Sequence, residues 1–254
     1  PLAKPKSLFD TNLQKVLREL KVVNPDIIAL QEIDFNAARS YHVDQQNEIS
    51  KLGYNYVFEA INWDEKYVPF PYWPIKMHFG KVVSGQSVLS KYPLKAAQRI
   101  VLDRVENAAF YRDAFYLDRL AQVVKVVLNG QEVVLISVHL EAFDKETRVQ
   151  QFSQILKLFQ LYKRKYPTIL LGDFNSRARD KSAAIQRLFA MPTVGNAAFI
   201  PNAIDNTFDT KDPHKRIDYI FYTKNSIEYI TGSVLHQFEQ VSDHLPVEMQ
   251  FKLK

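Results

Sequence analysis

Short runs of apolar residues, each bounded by turn residues, recur along the chain and predict β-strands. The runs are rich in Val, Ile, Leu and Tyr, which fit a pleated and partly buried surface. The predicted strands are residues 26–30, 54–59, 86–90, 122–128, 133–139, 168–171, 217–222 and 247–253. The spacing between several of these runs leaves room for helices.

Two stretches outside the predicted strands carry apolar residues at helical spacing. One face of the first stretch has Leu13, Val16, Leu17 and Leu20, and one face of the second has Val149, Phe152, Ile155, Leu156 and Phe159. The second stretch follows acidic residues at positions 144 and 146, which favour a helix start there. The chain therefore mixes helices and strands and is assigned to the α/β class.

The dipeptide Asn129-Gly130 separates two predicted strands and is a strong signal for a tight hairpin. Part of the sheet must then be antiparallel, which excludes a purely parallel doubly wound fold. The chain has no internal repeat and no linker rich in Gly, Ser or Pro. We therefore expect residues 1–254 to form a single domain, and a monomer.

Composition excludes several classes of protein. The 254 residues are 46% hydrophobic, which argues against disorder, and the absence of cysteine excludes disulfides and thiolate metal sites. No apolar run approaches the roughly 20 residues of a membrane span. The net charge of +5 is a mild basic excess, and its densest cluster, residues 163–165, is interpreted as a solvated helix end rather than a nucleic-acid surface.

A polar residue of catalytic or metal-binding type follows a predicted apolar strand or strand-like run at five places. Strand ends are rigid and open onto the surface, so catalytic groups are often carried there. The five sequences are Leu30-Gln31-Glu32, Val138-His139-Leu140, Gly172-Asp173-Phe174-Asn175, Arg216-Ile217-Asp218-Tyr219-Ile220-Phe221 and Ser242-Asp243-His244.

Each of these residues has a structural explanation when it is taken alone. Glu32 could be an exposed carboxylate at a strand end, His139 a core histidine, and Asp173 part of a turn. Asp218 is harder to explain in this way, because apolar neighbours predict burial and a buried charge requires a partner.

Together and in this order, the five motifs resemble those of the endonuclease/exonuclease/phosphatase superfamily. The likeness runs from about Asn12 to Lys254, and residues 88–93 are similar to the central strand of that family. The resemblance implies a four-layered sandwich, in which two packed mixed β-sheets are flanked by helices. It also implies a metal-dependent hydrolase of phosphoesters.

The resemblance assigns a role to each motif. Glu32 and Asp243 match metal-binding carboxylates, and hard oxygen ligands suit Mg²⁺, or Mn²⁺ in its place. His244 matches the base that takes a proton from the attacking water, and Asp218 matches the carboxylate that orients its ring. Asp173 matches the residue that positions the water.

Two further residues match groups that bind the phosphate, and one family element is missing. Asn175 and His139 correspond to donors of hydrogen bonds to the phosphate oxygens. Family members usually open with a strand that ends in a metal-binding Asn, whereas Asn12 lies within the first helical pattern. We therefore expect a further strand upstream of this sequence.

His139 also separates branches of the superfamily. Abasic-site endonucleases usually carry Tyr at this position, whereas the His139-Leu140 form is similar to a branch with deoxyribonucleases, sphingomyelinases and inositol phosphatases. The same branch includes the tyrosyl-DNA phosphodiesterases. The motif His139-Leu140-Glu141, with Arg148 and Gln151 after it, has a weak similarity to the motif of those enzymes. The substrate class therefore stays open among lipids, inositol phosphates, sugar phosphates and nucleic acids.

Residues 62–79 combine aromatic rings with prolines and are predicted to form a loop. Trp63, Tyr72 and Trp73 could line an apolar wall beside the phosphate, or the rings could pack over a sheet edge. Two other functions also stay open. One is a non-specific nuclease, which the basic charge favours, and the other is a catalytically silent interaction module, which the missing Asn strand allows.

Overall fold

The computed structural model describes residues 5–70, 73–105 and 117–254. The chain divides into two compact units. The first unit comprises Pro1–Tyr92 and Val105–Asp118, and the second comprises Pro93–Arg104 and Arg119–Lys254. Within the described ranges, no helix is long and apolar enough to cross a membrane.

The first unit contains an antiparallel three-stranded sheet and two α-helices among its described residues. The elements are α1 (Lys6–Val23), β1 (Ile27–Asp34), α2 (Gln45–Ser50), β2 (Tyr56–Val68) and β3 (Gly80–Ser90). The strand order is β1-β3-β2, and both strand pairs are antiparallel. Helix α1 confirms the first helical pattern and ends at Asn24, whose left-handed conformation (φ 50°) is a common helix stop.

The predicted loop at residues 62–79 is wrong for its first part. β2 continues through Trp63 to Val68 and pairs with β3 as far as Gly80. The prolines begin only at Pro69, after the strand has ended, so they do not interrupt the pairing. Trp63 packs with the buried Phe79, which favours the packing interpretation for that ring, whereas Trp73 is 79% exposed. Pro71 and Tyr72 lie outside the described residues.

The second unit contains a mixed six-stranded sheet. Its elements are β4 (Leu94–Val101), β5 (Leu120–Leu128), β6 (Gln131–His139), α3 (Lys145–Tyr162), β7 (Thr168–Asp173), α4 (Gln186–Phe189), β8 (Val194–Asn196), β9 (Asp218–Thr223), β10 (Ile227–Thr231) and β11 (Gln250–Leu253). The order in the large sheet is β4-β5-β6-β7-β9-β8, and β10 pairs with β11. The β6–β7 pair is parallel and the other pairs are antiparallel.

Local signals in the sequence predict several of these elements well. The β5–β6 hairpin turns at Asn129 and Gly130, whose positive φ angles of 50° and 83° suit the tight turn that the dipeptide predicts. Helix α3 confirms the second helical pattern, and its last residue precedes the basic cluster at 163–165. β11 is shorter than predicted, because Val247 forms only an isolated bridge with Val234.

The core of the second unit lies between the sheet and α3. Phe152, Ile155 and Phe159 of α3 are almost fully buried against apolar residues of β6, such as Ile136. Burial of each such side chain stabilises the fold by about 1.5–3 kcal/mol. The packing fixes β6 and β7 at the centre of the sheet, and it is the ends of these strands that carry the predicted site. The α/β class with a mixed sheet is confirmed.

Candidate active site

Three predicted site residues lie in one row across neighbouring strands. His139, the last residue of β6, is in register with Asp173, the last residue of β7. Asp173 is in turn in register with Asp218, the first residue of β9. Because paired residues on adjacent strands lie side by side, the sheet itself brings these three side chains together.

The backbone around Asp173 depends on two unusual residues. Gly172 has φ of 128°, and a Cβ added there would clash with the carbonyl oxygen of Val138. Asn175 has φ of 47°, and its backbone N–H donates to Oδ1 of Asp173 at 2.7 Å. Its side-chain Nδ2 donates to the carbonyl of Leu140 at 2.9 Å and to Oδ2 of Asp173 at 3.2 Å. The Gly-Asp-Phe-Asn motif therefore fixes the Asp173 carboxylate.

His244 and Asp218 form a hydrogen-bonded pair. Nδ1 of His244 lies 3.0 Å from Oδ2 and 3.1 Å from Oδ1 of Asp218. Thr207, which is fully buried, donates from Oγ1 to Oδ2 of the same carboxylate. The backbone N–H of Leu245 donates to the carbonyl of Thr207, and the ring of Phe208 packs 4.9 Å from the His244 ring. These contacts hold the imidazole in one orientation, with Nε2 directed away from Asp218.

Asp173 carries an unusual charge environment. Its Oδ2 lies 3.6 Å from Nε2 of His139 and 4.0 Å from Nε2 of His244. Burial, together with the charge of Asp218, raises the pKa of Asp173 to about 8. Burial alone would lower the pKa of His244, but the hydrogen bond and charge of Asp218, with Asp173 and Asp243, raise it to about 9. The site therefore places the carboxyl groups of Asp173 and Asp218 around one imidazole, that of His244.

His139 is buried beside a cation that the sequence motifs do not include. Nη1 of Arg119 lies 2.7 Å from Nε2 of His139, and Nε of Arg119 lies 3.6 Å from the carboxylate of Glu141. Burial, with the charges of Arg119 and His244, lowers the pKa of His139 well below its ordinary value. His139 is therefore neutral near neutral pH, and its Nε2 accepts from Arg119.

The two predicted metal ligands lie in different units. Asp243 precedes His244 and is exposed; its carbonyl accepts from the N–H of Thr210 at 3.1 Å. Glu32 lies in the first unit, near the end of β1, and is also exposed. The pairing of β1 with β3 shifts register between Leu30 and Ile33, and Glu32 has φ of 53°. A bulge of this kind re-aims a side chain and is frequent beside functional sites.

Three side chains of the second unit are grouped closely enough to hold a metal ion. One ligand atom each from Asp173, Asp218 and His244 lies within 4.8 Å of the others. Nδ1 of His244 and the carboxylate of Asp218 are engaged with each other, so Asp173 is the carboxylate of this group closest to being available. A buried carboxylate whose pKa is raised by burial and a neighbouring negative charge is stabilised by a bound cation.

The structure adds Arg119 and Thr207 to the site. Arg119 immediately precedes β5, where Leu120 is in register with His139. The register of the sheet therefore brings the guanidinium to His139, at one end of the row of three residues. Thr207 lies in a loop and reaches Asp218 through tertiary contacts. The only signal in the sequence was a lone arginine before an apolar run and a lone threonine, which is too common to single out either residue.

A model of the endonuclease/exonuclease/phosphatase family matches residues 5–244 of the chain. The protein therefore belongs to this family, as the five motifs and the row of residues across the sheet predict. The predicted family is confirmed, whereas the assignment to the branch that carries His-Leu stays a prediction.

Comparisons with individual proteins agree on the fold. The catalytic domain of human Nocturnin superimposes with a TM-score of 0.69 at 20% identity, over 96% of this chain and 87% of that domain. An endonuclease/exonuclease/phosphatase protein of Beutenbergia cavernae gives the same TM-score at 21% identity, over 95% of this chain and 66% of its own. A UPF0294 protein of Vibrio cholerae is 29% identical over 127 residues, which span 49% of this chain and 42% of that relative.

Proposed function

We propose that the protein is a metal-dependent hydrolase of phosphoester bonds. The observation that carries this proposal is the geometry of three groups in the second unit. The Asp218–His244 pair is closed at 3.0 Å, and the free Nε2 of His244 lies 4.0 Å from Asp173. A base, a group that orients it and a second carboxylate are the parts needed to activate a water molecule.

In this mechanism His244 is the general base. Its Nδ1–H donates to Asp218, which leaves the Nε2 lone pair to accept a proton from water. Asp218 holds the ring in this tautomer and stabilises the imidazolium that forms, as an orienting carboxylate does in hydrolase triads. Asp173 accepts a hydrogen bond from the second O–H of the same water and so directs the water oxygen at the phosphorus. In this in-line attack the bond from the water oxygen to phosphorus forms as the opposite ester P–O bond breaks; the departing alkoxide takes a proton from solvent, and no covalent intermediate forms.

The phosphate oxygens need hydrogen-bond donors that stabilise developing negative charge. Arg119 is the strongest candidate, because a guanidinium presents a fork of N–H groups that matches phosphate geometry. Both ring nitrogens of His139 lie close to Nη1 of Arg119, so His139 keeps the guanidinium in place, and its own donation to the phosphate stays a prediction. Asn175 already donates both amide protons to Leu140 and Asp173, so its present geometry favours a positioning role.

Glu32 and Asp243 are proposed to bind the metal, as the motifs that carry them imply. A bound Mg²⁺ would stabilise negative charge on the phosphoryl and leaving-group oxygens, and its positive charge would lower the pKa of His244 into the range of a base. The surplus of carboxylates around His244 and the bulge that carries Glu32 support this assignment.

The experiment that tests the proposal is a substrate panel with and without a chelator. Bis-p-nitrophenyl phosphate, single- and double-stranded DNA, sphingomyelin and inositol phosphates represent the substrate classes that the sequence leaves open. We expect hydrolysis of at least one substrate, its loss with EDTA and its recovery with Mg²⁺. We expect His244→Ala and Asp173→Asn to lower kcat by about 10³-fold or more.

Matched variants separate these roles from damage to the fold. His236→Ala removes another histidine of the second unit, one that pairs with Asp205 at 2.8 Å, and should leave kcat unchanged. Turnover of His244→Ala at the wild-type rate would eliminate the proposed base. Inactivity on the whole panel in a correctly folded protein would favour the interaction module, and activity confined to DNA would identify the nuclease.

A further inference from the structure

Phe143 is the most exposed large apolar side chain among the described residues, with 92% of its surface accessible. It lies in the short turn between β6 and α3, four residues after His139. Scattered exposed apolar residues are normal on protein surfaces and need no explanation by themselves. What sets Phe143 apart is the turn that carries it.

The backbone of this turn is fixed by buried and half-buried polar groups. The buried Glu141 carboxylate accepts from the N–H of Phe143 at 3.0 Å. Arg148 donates to the carbonyls of Glu141 at 2.8 Å and Ala142 at 3.0 Å. The buried Gln151 side chain accepts from the N–H of Glu141 at 2.8 Å. The main chain around Phe143 is therefore held by hydrogen bonds, while its ring remains exposed.

The same groups connect the turn to the catalytic row. Glu141, which holds the N–H of Phe143, is also paired at 3.6 Å with Arg119, and Arg119 contacts His139 at 2.7 Å. The N–H of Leu140 donates to the carbonyl of Asp173 at 3.0 Å, so the start of the turn adjoins the edge of the sheet that carries Asp173. Phe143 thus lies on a hydrogen-bonded turn, and Glu141 of that turn contacts Arg119, which is proposed to bind phosphate.

We propose that Phe143 is a specificity-determining residue whose ring stacks on a planar, aromatic substituent of the phosphoester substrate. This inference rests on the proposed function, because that function places the phosphate at the neighbouring row. An aromatic side chain on a fixed backbone has only two side-chain torsions to immobilise, so it gives contact area at a low entropic cost.

The exposure of the ring favours a planar ligand over an aliphatic one. A ring that is 92% accessible leaves its faces open to a ligand. A flat ring buries a large area against one such face by offset stacking. An alkyl chain would need a groove to lose as much surface. The aromatic group could be an aryl ester or a nucleobase, and both present the same planar chemistry to Phe143.

The direct test measures binding with a pair of non-hydrolysable ligands that differ only in the ring. Titration calorimetry in Mg²⁺ compares phenylphosphonate with methylphosphonate on the wild type, Phe143→Ala, Phe143→Trp and Leu161→Ala. Leu161 is an exposed apolar residue of α3, so its substitution is the matched control. We expect the wild type to bind phenylphosphonate about tenfold more tightly than methylphosphonate, from burial of one ring.

We expect this preference to fall to near unity in Phe143→Ala and to survive in Phe143→Trp and Leu161→Ala. Equal affinity of the wild type for the two ligands, or an unchanged preference in Phe143→Ala, would refute the proposal. Binding is measured without turnover, so the outcome is separate from the proposed function. If the protein prefers phenylphosphonate through Phe143 but hydrolyses no phosphoester, the proposed hydrolase function is refuted and the proposed stacking site is supported.

The source of the ring is resolved by kinetics on two substrates. Thymidylyl-(3′→5′)-thymidine carries nucleobases, and bis-p-nitrophenyl phosphate carries aryl groups. The substrate on which Phe143→Ala loses about tenfold in kcat/KM identifies the group that stacks, while the rate on the ring-free glycerophosphocholine should not change. An equal loss on glycerophosphocholine would contradict stacking.

Discussion

At the scale of single residues, Asp218 is held in place by a hydrogen bond from Thr207. Thr207 is fully buried and donates to the Asp218 carboxylate, which in turn orients His244. A hydrogen bond to a charged group contributes about 1.5–3 kcal/mol. Thr207→Val keeps the shape of the side chain and removes this donor, together with a longer contact of 3.4 Å from the N–H of Ile217 to Oγ1, so Thr207 can be tested as a positioning residue.

We expect Thr207→Val to lower kcat by about tenfold or more with little change in KM, because Thr207 touches the orienting carboxylate rather than the substrate. Thr207→Ser keeps the hydroxyl and should restore most of the rate. Thr231→Val, on an exposed position of β10, is the control. A rise in KM at constant kcat would argue against a positioning role.

The sequence singled out His139, Asp173 and Asp218, which lie in one row, but not the residues that contact them, for a physical reason. His139, Asp173 and Asp218 each follow or begin an apolar run, which is a local signal. Arg119 reaches His139 only because the register of β5 on β6 places it there, and register is a property of the folded sheet.

At the scale of secondary-structure elements, local and tertiary signals had different success. Helices α1 and α3 and the Asn129-Gly130 turn follow from spacing and turn chemistry within one segment. β2 was not recognised beyond residue 59, because the polar residues 64–66 gain strand structure by pairing with β3, a partner distant in sequence. The prolines just beyond it made the whole stretch resemble a loop.

The N-terminus of α3 permits a quantitative test at this scale. Asp144 caps the helix by accepting from the N–H of Thr147 at 2.7 Å. The hydrogen bonds from the side chain and backbone of Thr147 lower the pKa of Asp144 below its ordinary value. We expect Asp144→Ala to lower Tm at neutral pH, because an N–H at the helix start loses its acceptor. Asp144→Ser should retain most of the stabilisation by the cap, because the serine hydroxyl can accept the same hydrogen bond.

The sign of the pH dependence follows from the lowered pKa. The ionised cap contributes its full stabilisation above the pKa of an unfolded aspartate, and loses it as the pH falls through the lower folded pKa. The difference in Tm between the wild type and Asp144→Ala should therefore shrink on acidification, as measured by circular dichroism at 222 nm. A difference that grew towards acid pH would contradict this account of the cap.

At the scale of the whole molecule, the chain path bears on the predicted single domain. Each of the two compact units is built from two separate segments, so the chain passes between the units three times. A unit of this kind cannot unfold as one free end of the chain, because its segments remain joined to the other unit. We therefore propose that residues 1–254 unfold in one cooperative transition, as a single domain does.

The distribution of tryptophan allows this cooperativity to be measured. The chain has two tryptophans, Trp63 and Trp73, and both lie in the first unit, so their fluorescence reports unfolding there. Val134→Ala removes fully buried apolar volume from the second unit and should cost about 2 kcal/mol, or about 5 °C in Tm. Val82→Ala is the matched substitution of a fully buried valine in the first unit. If the units unfold together, Val134→Ala lowers the fluorescence midpoint as much as the calorimetric midpoint. A fluorescence midpoint that responds to Val82→Ala but not to Val134→Ala would instead show two domains.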